Sequence, residues 1–111
     1  MAIKATEVGK VLNYSTGFDM SSFTDLELKF TSPTNVKKSF TNSSGTRVTA
    51  PSVLVSDPVL GDIAADTYMQ LTTLATDFTE DGIYNVCGIY TDGTQVFHGD
   101  DAALTIGEAC D

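Results

Sequence analysis

Tryptophan is absent from this chain of 111 residues, histidine occurs once, cysteine twice and proline three times. Lysine and arginine together number six, against fifteen aspartates and glutamates. Each scarcity argues against a class of function. Binding to nucleic acid without regard to sequence draws its affinity from cations that neutralise phosphates, and a chain with a formal net charge of −9 has few to offer. The same shortage disfavours an anionic membrane surface. No apolar run is long enough to cross a bilayer, and Met1 to Glu7 lacks the apolar core of a signal peptide. No membrane insertion is therefore expected, and the chain should stay in the cytoplasm where it is made. Without tryptophan, a carbohydrate-binding module would lack its broadest platform for stacking sugar rings.

What is present suffices for one core. With 41% hydrophobic residues, six Phe and four Tyr, a chain of this length buries roughly 65% of its unfolded surface without needing a disulfide or a metal. Residues 1–111 read as one domain. The Thr-, Ser- and Gly-rich remainder reads as short strands joined by turns, which makes the chain all-β. The expected fold is an immunoglobulin-like antiparallel β-sandwich of about seven to nine strands. The acidic residues are scattered, which fits a solvated face that resists aggregation or, more sharply, one that attracts a basic partner protein.

Val8 to Tyr14 reads as a first strand, followed by a turn at Ser15-Thr16-Gly17. From Asp25 to Thr31 the alternation is cleanest: Leu26, Leu28 and Phe30 share one face, while Asp25, Glu27 and Lys29 share the other. Pro33-Thr34-Asn35 ends that strand, and Val36 to Phe40 returns, its Lys37 and Lys38 suited to an exposed edge. Asn42-Ser43-Ser44-Gly45 is a turn. Thr46 to Ala50 and Ser52 to Val55 read as short strands split by Pro51 and closed by Asp57-Pro58. Between Leu60 and Ala75 two signals conflict: Leu60, Ile63, Ala64, Leu71 and Leu74 match a helical stripe, yet Thr67 to Thr73 has the composition of a strand. A strand from Thr67 to Leu74 is favoured.

The stretch from Glu80 to Phe97 is the most informative. Glu80-Asp81-Gly82-Ile83-Tyr84-Asn85-Val86 has the spacing of a tyrosine corner, in which the Tyr84 hydroxyl bonds back to the turn that precedes its strand. Asp92-Gly93 then suits a two-residue hairpin loop, because both residues tolerate positive φ. With that loop Cys87 faces His98, and Phe97 lies over Gly88, a ring covering a residue that has no side chain. Gly99-Asp100-Asp101 breaks the returning strand and Ala103 to Ile106 resumes it. Tyr84, Val86 and Tyr90 take one face of the central strand, and Ile83, Cys87 and Ile89 the other. The apolar outer face is either covered by another part of the chain or is a contact patch for a partner, with Ile89, Val96 and His98 as its residues. Cys110 lies roughly 40 Å from Cys87 along a straight strand, at about 3.3 Å per residue. Two free thiols are expected, with a bend at Gly99 as the one route to a bond.

No residue set announces catalysis. His98 beside Cys87 makes two ligands where zinc takes three or four, and a Cys–His nucleophile pair would still want an orienting group and an oxyanion hole. Calcium is the stronger metal candidate, since Asp77, Glu80, Asp81, Asp100 and Asp101 could gather at one end of the sandwich. The Asp-x-Asp-x-Asp-Gly loop is missing, however, and solvated loop carboxylates account for them. Paired carboxylates for glycoside hydrolysis need a cleft that a small sandwich seldom builds. The phosphate-cradling Gly-rich loop and the Ser-centred elbow are also missing. The expectation is a protein that is not an enzyme, with no catalytic residues, no metal and no cofactor.

Taken in order, Gly9-Lys10-Val11-Leu12, Thr16-Gly17-Phe18-Asp19-Met20-Ser21, Leu26 to Pro33, Gly82-Ile83-Tyr84-Asn85-Val86 and Leu104-Thr105-Ile106 resemble the small immunoglobulin-like structural proteins of tailed bacteriophages, in particular the N-terminal module of upper baseplate proteins. Such modules carry Pro-Asp-Gly at the first hairpin, where this chain has Pro33-Thr34-Asn35, and they continue into a receptor-binding or coiled-coil region that this sequence does not contain. The resemblance implies a stand-alone adaptor of a phage tail or baseplate, made in the bacterial cytoplasm and located in the virion. Its partners would be other virion structural proteins, or copies of itself in a symmetric ring. A capsid decoration protein and a surface-exposed glycan- or adhesin-type binding module are the alternatives. The last would be marked by a signal peptide or a Cys87–Cys110 bond.

Overall fold

The computed structural model describes residues 3–43, 47–57 and 60–107. Period-two alternation shapes the first half. Strand β3 (Asp25–Thr31) sends Leu26, Leu28 and Phe30 into the core. Its hairpin to β4 (Lys37–Thr41) turns where Asn35 adopts φ +68° and donates its N–H to Ser32 O at 2.9 Å. Before them come β1 (Ile3–Lys4) and β2 (Val11–Ser15), and after them β5 (Val48–Thr49) and a small hairpin of β6 (Val55–Asp57) and β7 (Gly61–Ile63). The chain continues through β8 (Tyr68–Thr72), the long β9 (Gly82–Thr91), β10 (Val96–His98) and β11 (Ala102–Gly107).

Apart from the separate β6–β7 hairpin, these strands form two facing sheets. The larger has the order β1-β11-β9-β3-β4, with β10 also on β9, and the smaller has the order β2-β8-β5. Pairings are antiparallel except that of β1 with β11. Sequential strands are thus split between layers in the manner of an immunoglobulin-like sandwich. The core lies between the layers: Leu28, Phe30, Tyr84, Val86 and Tyr90 from the larger sheet meet Tyr14, Val48, Met69 and Leu71 from the smaller. Each such side chain contributes about 1.5–3 kcal/mol by leaving water.

The conflict between Leu60 and Ala75 resolves as strands, with no helix among the described residues. Met69, Leu71 and Thr73 alternate into the core, while Tyr68 is buried on the opposite face, its hydroxyl donating to Val53 O at 3.0 Å. Leu60, Ile63 and Ala64 match a helix only in spacing, because Ile63 belongs to the β6–β7 hairpin. That hairpin, and the two-residue β1, were not legible from periodicity. Ser44, Gly45, Thr46 and Pro58, included in the expected turns and strands, lie outside the described residues.

One flank is closed by a polar cluster. Asp77, 5% exposed, takes a bidentate ion pair from Arg47 and accepts the Leu74 N–H at 2.7 Å. The guanidinium lies 5.0 Å over the Phe40 ring and also donates to Thr72 O at 3.2 Å. Lys38 sits opposite Phe30 on the edge strand β4 and donates through Nζ to the carbonyls of Thr76 and Asp77. Beneath them Phe40, Phe30, Phe78 and Tyr84 make a chain of edge-to-face contacts.

Candidate functional site

The structure corrects the hairpin register, and the correction shapes the candidate surface. Asp92 Oδ1 accepts the N–H groups of Thr94 and Gln95 at 3.0 and 2.9 Å, Asp92 N donates to Gln95 O at 3.2 Å, and Gly93 takes φ +101°. The aspartate side chain thus organises a four-residue loop, Asp92 to Gln95, in place of the expected two-residue one. Thr91 now pairs with Val96, Tyr90 with Phe97 and Ile89 with His98. His98 therefore does not face Cys87. Because the slip is by an even number of positions, Ile89, Val96 and His98 nevertheless stay on one face.

Phe97 does not cover Gly88 either. It stacks on Tyr90, with centroids 5.9 Å apart and planes 13° from parallel, and on Phe23 at 5.6 Å. What makes residue 88 a glycine is the opposite sheet. A Cβ there would lie 2.5 Å from Tyr14 Cε1 and 2.6 Å from Met69 Cε, so any side chain would push the layers apart.

The outer face of β9 is uncovered by the described residues at several points: Ile83 is 65% exposed and Val96 61%, His98 is exposed, and Ile89 and Cys87 are half-buried. Ile89 lies between Glu27 of β3 and His98 of β10, and Thr91 between Asp25 and Val96. A shallow depression of about 200 Å³ beside them is lined by Asp25, Glu27, Asn42, Ile89 and Thr91. The arrangement sets the apolar Ile89 and Val96 beside Asp25 and Glu27 on the β3 side, a mixed face suited to holding another surface. At one end of the sandwich Phe18, 53% exposed, lies 6.1 Å from both Tyr90 and Phe97.

Cys87 carries a free thiol. Its partner in the expected pair of free thiols, Cys110, lies outside the described residues. The Cys87 Sγ contacts Gly99 O at 3.6 Å, where the returning strand bulges: Gly99 bonds to Gly88 and Ala102 pairs with Val86, leaving Asp100 and Asp101 opposite the single Cys87. Burial, and then the Asp101 carboxylate, raise the thiol above its ordinary pKa, so at neutral pH it is protonated and a poor nucleophile.

The five carboxylates that could have gathered for calcium are dispersed. Asp77 is held by Arg47, Glu80 accepts from the Thr34 hydroxyl at 2.8 and 2.9 Å, and Asp100 and Asp101 sit at the bulge. Among the described residues no three His, Cys, Asp or Glu side chains are placed to hold a metal ion. Tyr84 forms a corner, its hydroxyl donating to Glu80 O at 3.0 Å and accepting from Glu80 N at 3.3 Å. Sequence reading missed the Arg47–Asp77 pair. The available signal was that Arg47 is the single arginine beside five lysines, at a position demanding a planar, bidentate cation.

Among the described residues no helix is long and apolar enough to cross a membrane. No family model matches this chain, and no curated protein or solved structure matches it either.

Proposed function

We propose that this chain is a non-enzymatic structural protein of a phage virion, an adaptor of the tail or baseplate that works through multi-copy contacts with other virion proteins. The observation that carries the reading is the outer face of β9 and β10, where Ile83 near the start of β9 and Val96 beside its last residue, Thr91, stand in solvent with the half-buried Ile89 between them, and nothing described covers Ile83 or Val96. Such a face is stable in water as a small patch and gains more when a second surface removes it from solvent. The rigid sandwich and the −9 charge support the same reading, since they keep free subunits apart until a complementary surface is met. The sequence resemblance to phage modules supplies the setting.

A surface-exposed glycan- or adhesin-type module draws on a different observation, the partly exposed stack of Phe18, Phe23 and Phe97 beside the loops. The test is recovery of the chain from purified particles released by the cells that carry its gene. It should be found in a fixed multi-copy ratio to the tail proteins, and Ile89→Asp should fold yet be missing from particles. Absence of the wild-type chain from particles, or incorporation of the folded Ile89→Asp variant at the wild-type ratio, would overturn the reading.

A further inference from the structure

Among the described residues, the flank of the sandwich opposite the Arg47–Asp77 pair is open, bordered by Asp57 and Leu60 of the β6–β7 hairpin. Among the described residues β2 pairs with β8 on one side and with no strand on the other. Across the gap, β11 pairs with β9, and β1 meets its other edge only at Ile106 and Gly107. Between β2 and β11 lies a cavity of about 310 Å³ with Leu12 and Leu104 in its walls and Leu28, Phe30 and Val86 at its floor. Among the described residues the core is therefore reachable from this side.

The backbone of β2 is aligned for pairing. Thr73 N donates to Lys10 O at 2.8 Å, and Thr16 N donates to Thr67 O at 2.9 Å. The even-numbered positions between them thus bond to β8, and the N–H and C=O groups of Val11, Asn13 and Ser15 point to the open edge. Strand β2 is five residues long, about 17 Å at 3.3 Å per residue. A strand laid beside it would send alternate side chains into the cavity and the rest toward the outer face of the smaller sheet. There Asn13 donates to Asp57 Oδ2 at 3.0 Å.

Charge selects the occupant. The chain carries a formal net charge of −9, and Asp100, whose carbonyl takes the Tyr14 hydroxyl at the end of the gap, stands exposed at the start of β11. Lys10, at the other end, is engaged by Glu7 at 3.4 Å. A second copy of this chain brings another −9 to the same place and is repelled. We infer that the open edge of β2 accepts one extended strand of a basic partner protein, whose alternate apolar residues fill the cavity while intervening Lys or Arg residues answer the negative charge of this chain. The inference rests on reading the protein as a contact module, but it names a surface other than the β9–β10 face.

The test uses the full chain and a labelled, acetylated and amidated heptapeptide, Lys-Val-Thr-Ile-Lys-Val-Lys, titrated by fluorescence anisotropy. Saturable binding is expected, at least tenfold weaker in high salt, for the peptide with Glu in place of each Lys, and for Leu104→Gln. Val11→Pro removes one open-edge donor at the first residue of β2, where proline is tolerated, and should weaken binding similarly. Amide exchange should slow at Val11, Asn13 and Ser15 on peptide addition. The inference is overturned by failure to saturate at about 1 mM, by equal binding of the acidic peptide, by indifference to both variants, or by protection confined to another edge. A concentration-dependent dimer abolished by Leu104→Gln would also overturn it, in favour of a second copy as occupant. Loss of peptide binding leaves the particle experiment untouched, and absence from particles leaves peptide binding untouched, so the two readings fail separately.

Discussion

The two flanks of this sandwich are finished in different ways. On the side of β4 and β5, an ion pair, a cation over Phe40, a lysine on two carbonyls and a run of edge-to-face rings bind the layers together. On the side of β2 and β11, the layers meet chiefly through Tyr14, whose ring covers Gly88 and whose hydroxyl donates to Asp100 O at 2.6 Å, and beyond it no described residue fills the cavity. The difference shows that the contacts between the layers can be concentrated on one flank of a small β-sandwich while the other, among the described residues, is left without them. The closed flank should carry stability, and the open one recognition.

Breaking the closed flank tests this most strongly. Asp77→Ala takes the carboxylate from the Arg47 guanidinium, which keeps only Thr72 O, and leaves the Leu74 N–H without its acceptor, and should cost about 3–5 kcal/mol in a urea unfolding titration. The double variant Arg47→Met, Asp77→Leu should recover most of that loss, because no uncompensated charge remains. Gly88→Ala acts where Tyr14 crosses to the larger sheet. The added methyl cannot fit at 2.5 Å from the Tyr14 ring, so a loss of about 2 kcal/mol is expected, together with changed near-ultraviolet circular dichroism from a displaced tyrosine. Tyr84→Phe removes only the hydroxyl that closes the corner onto Glu80, with an expected loss of about 1 kcal/mol. An unchanged midpoint would mean the corner is held by packing alone. Leu104→Gln, at the half-buried wall of the open flank, should shift stability by no more than about 0.5 kcal/mol. A larger loss would show that the open flank also holds the fold together.

Alkaline pH acts on both flanks. Burial raises the phenols of Tyr14 and Tyr84 above the ordinary tyrosine value near 10. Their folded pKa lies above the unfolded one, so the folded state retains protons that the unfolded state releases. Their contribution is complete below the ordinary value and is lost as pH rises through the folded one. The unfolding midpoint should be insensitive to these groups up to about pH 9 and fall beyond about pH 10. Tyr14→Phe or Tyr84→Phe should each flatten that fall.

Much of the fold was legible because it rests on local chemistry. Alternation at Leu26, Leu28 and Phe30 gave away an inward face, Pro33 to Asn35 a turn, and the spacing from Glu80 to Tyr84 a corner. The hairpin at Asp92 and Gly93 was legible as a reversal but not in its register. Two residues of loop or four depended on whether the Asp92 carboxylate would cap Thr94 and Gln95 and on whether Phe97 would find Tyr90. Ile89, Val96 and His98 share a face in either register because side chains alternate with period two. Whether the acidic loops would gather was not legible, because their positions depend on the bulge at Asp100 and Asp101 and on an arginine thirty residues before Asp77.

By itself, the order of residues determined that this chain makes strands, where most of them turn, and which side chains face inward, since those choices are settled within a few neighbours by sterics, turn geometry and the exclusion of apolar groups from water. Only the tertiary structure decided why residue 88 must be glycine, which carboxylate meets Arg47, and which edge of which sheet is left without a strand. Those outcomes depend on surfaces brought together from as far apart as Tyr14 and Asp100, 86 residues distant in sequence, and no local pattern encodes the approach of two layers.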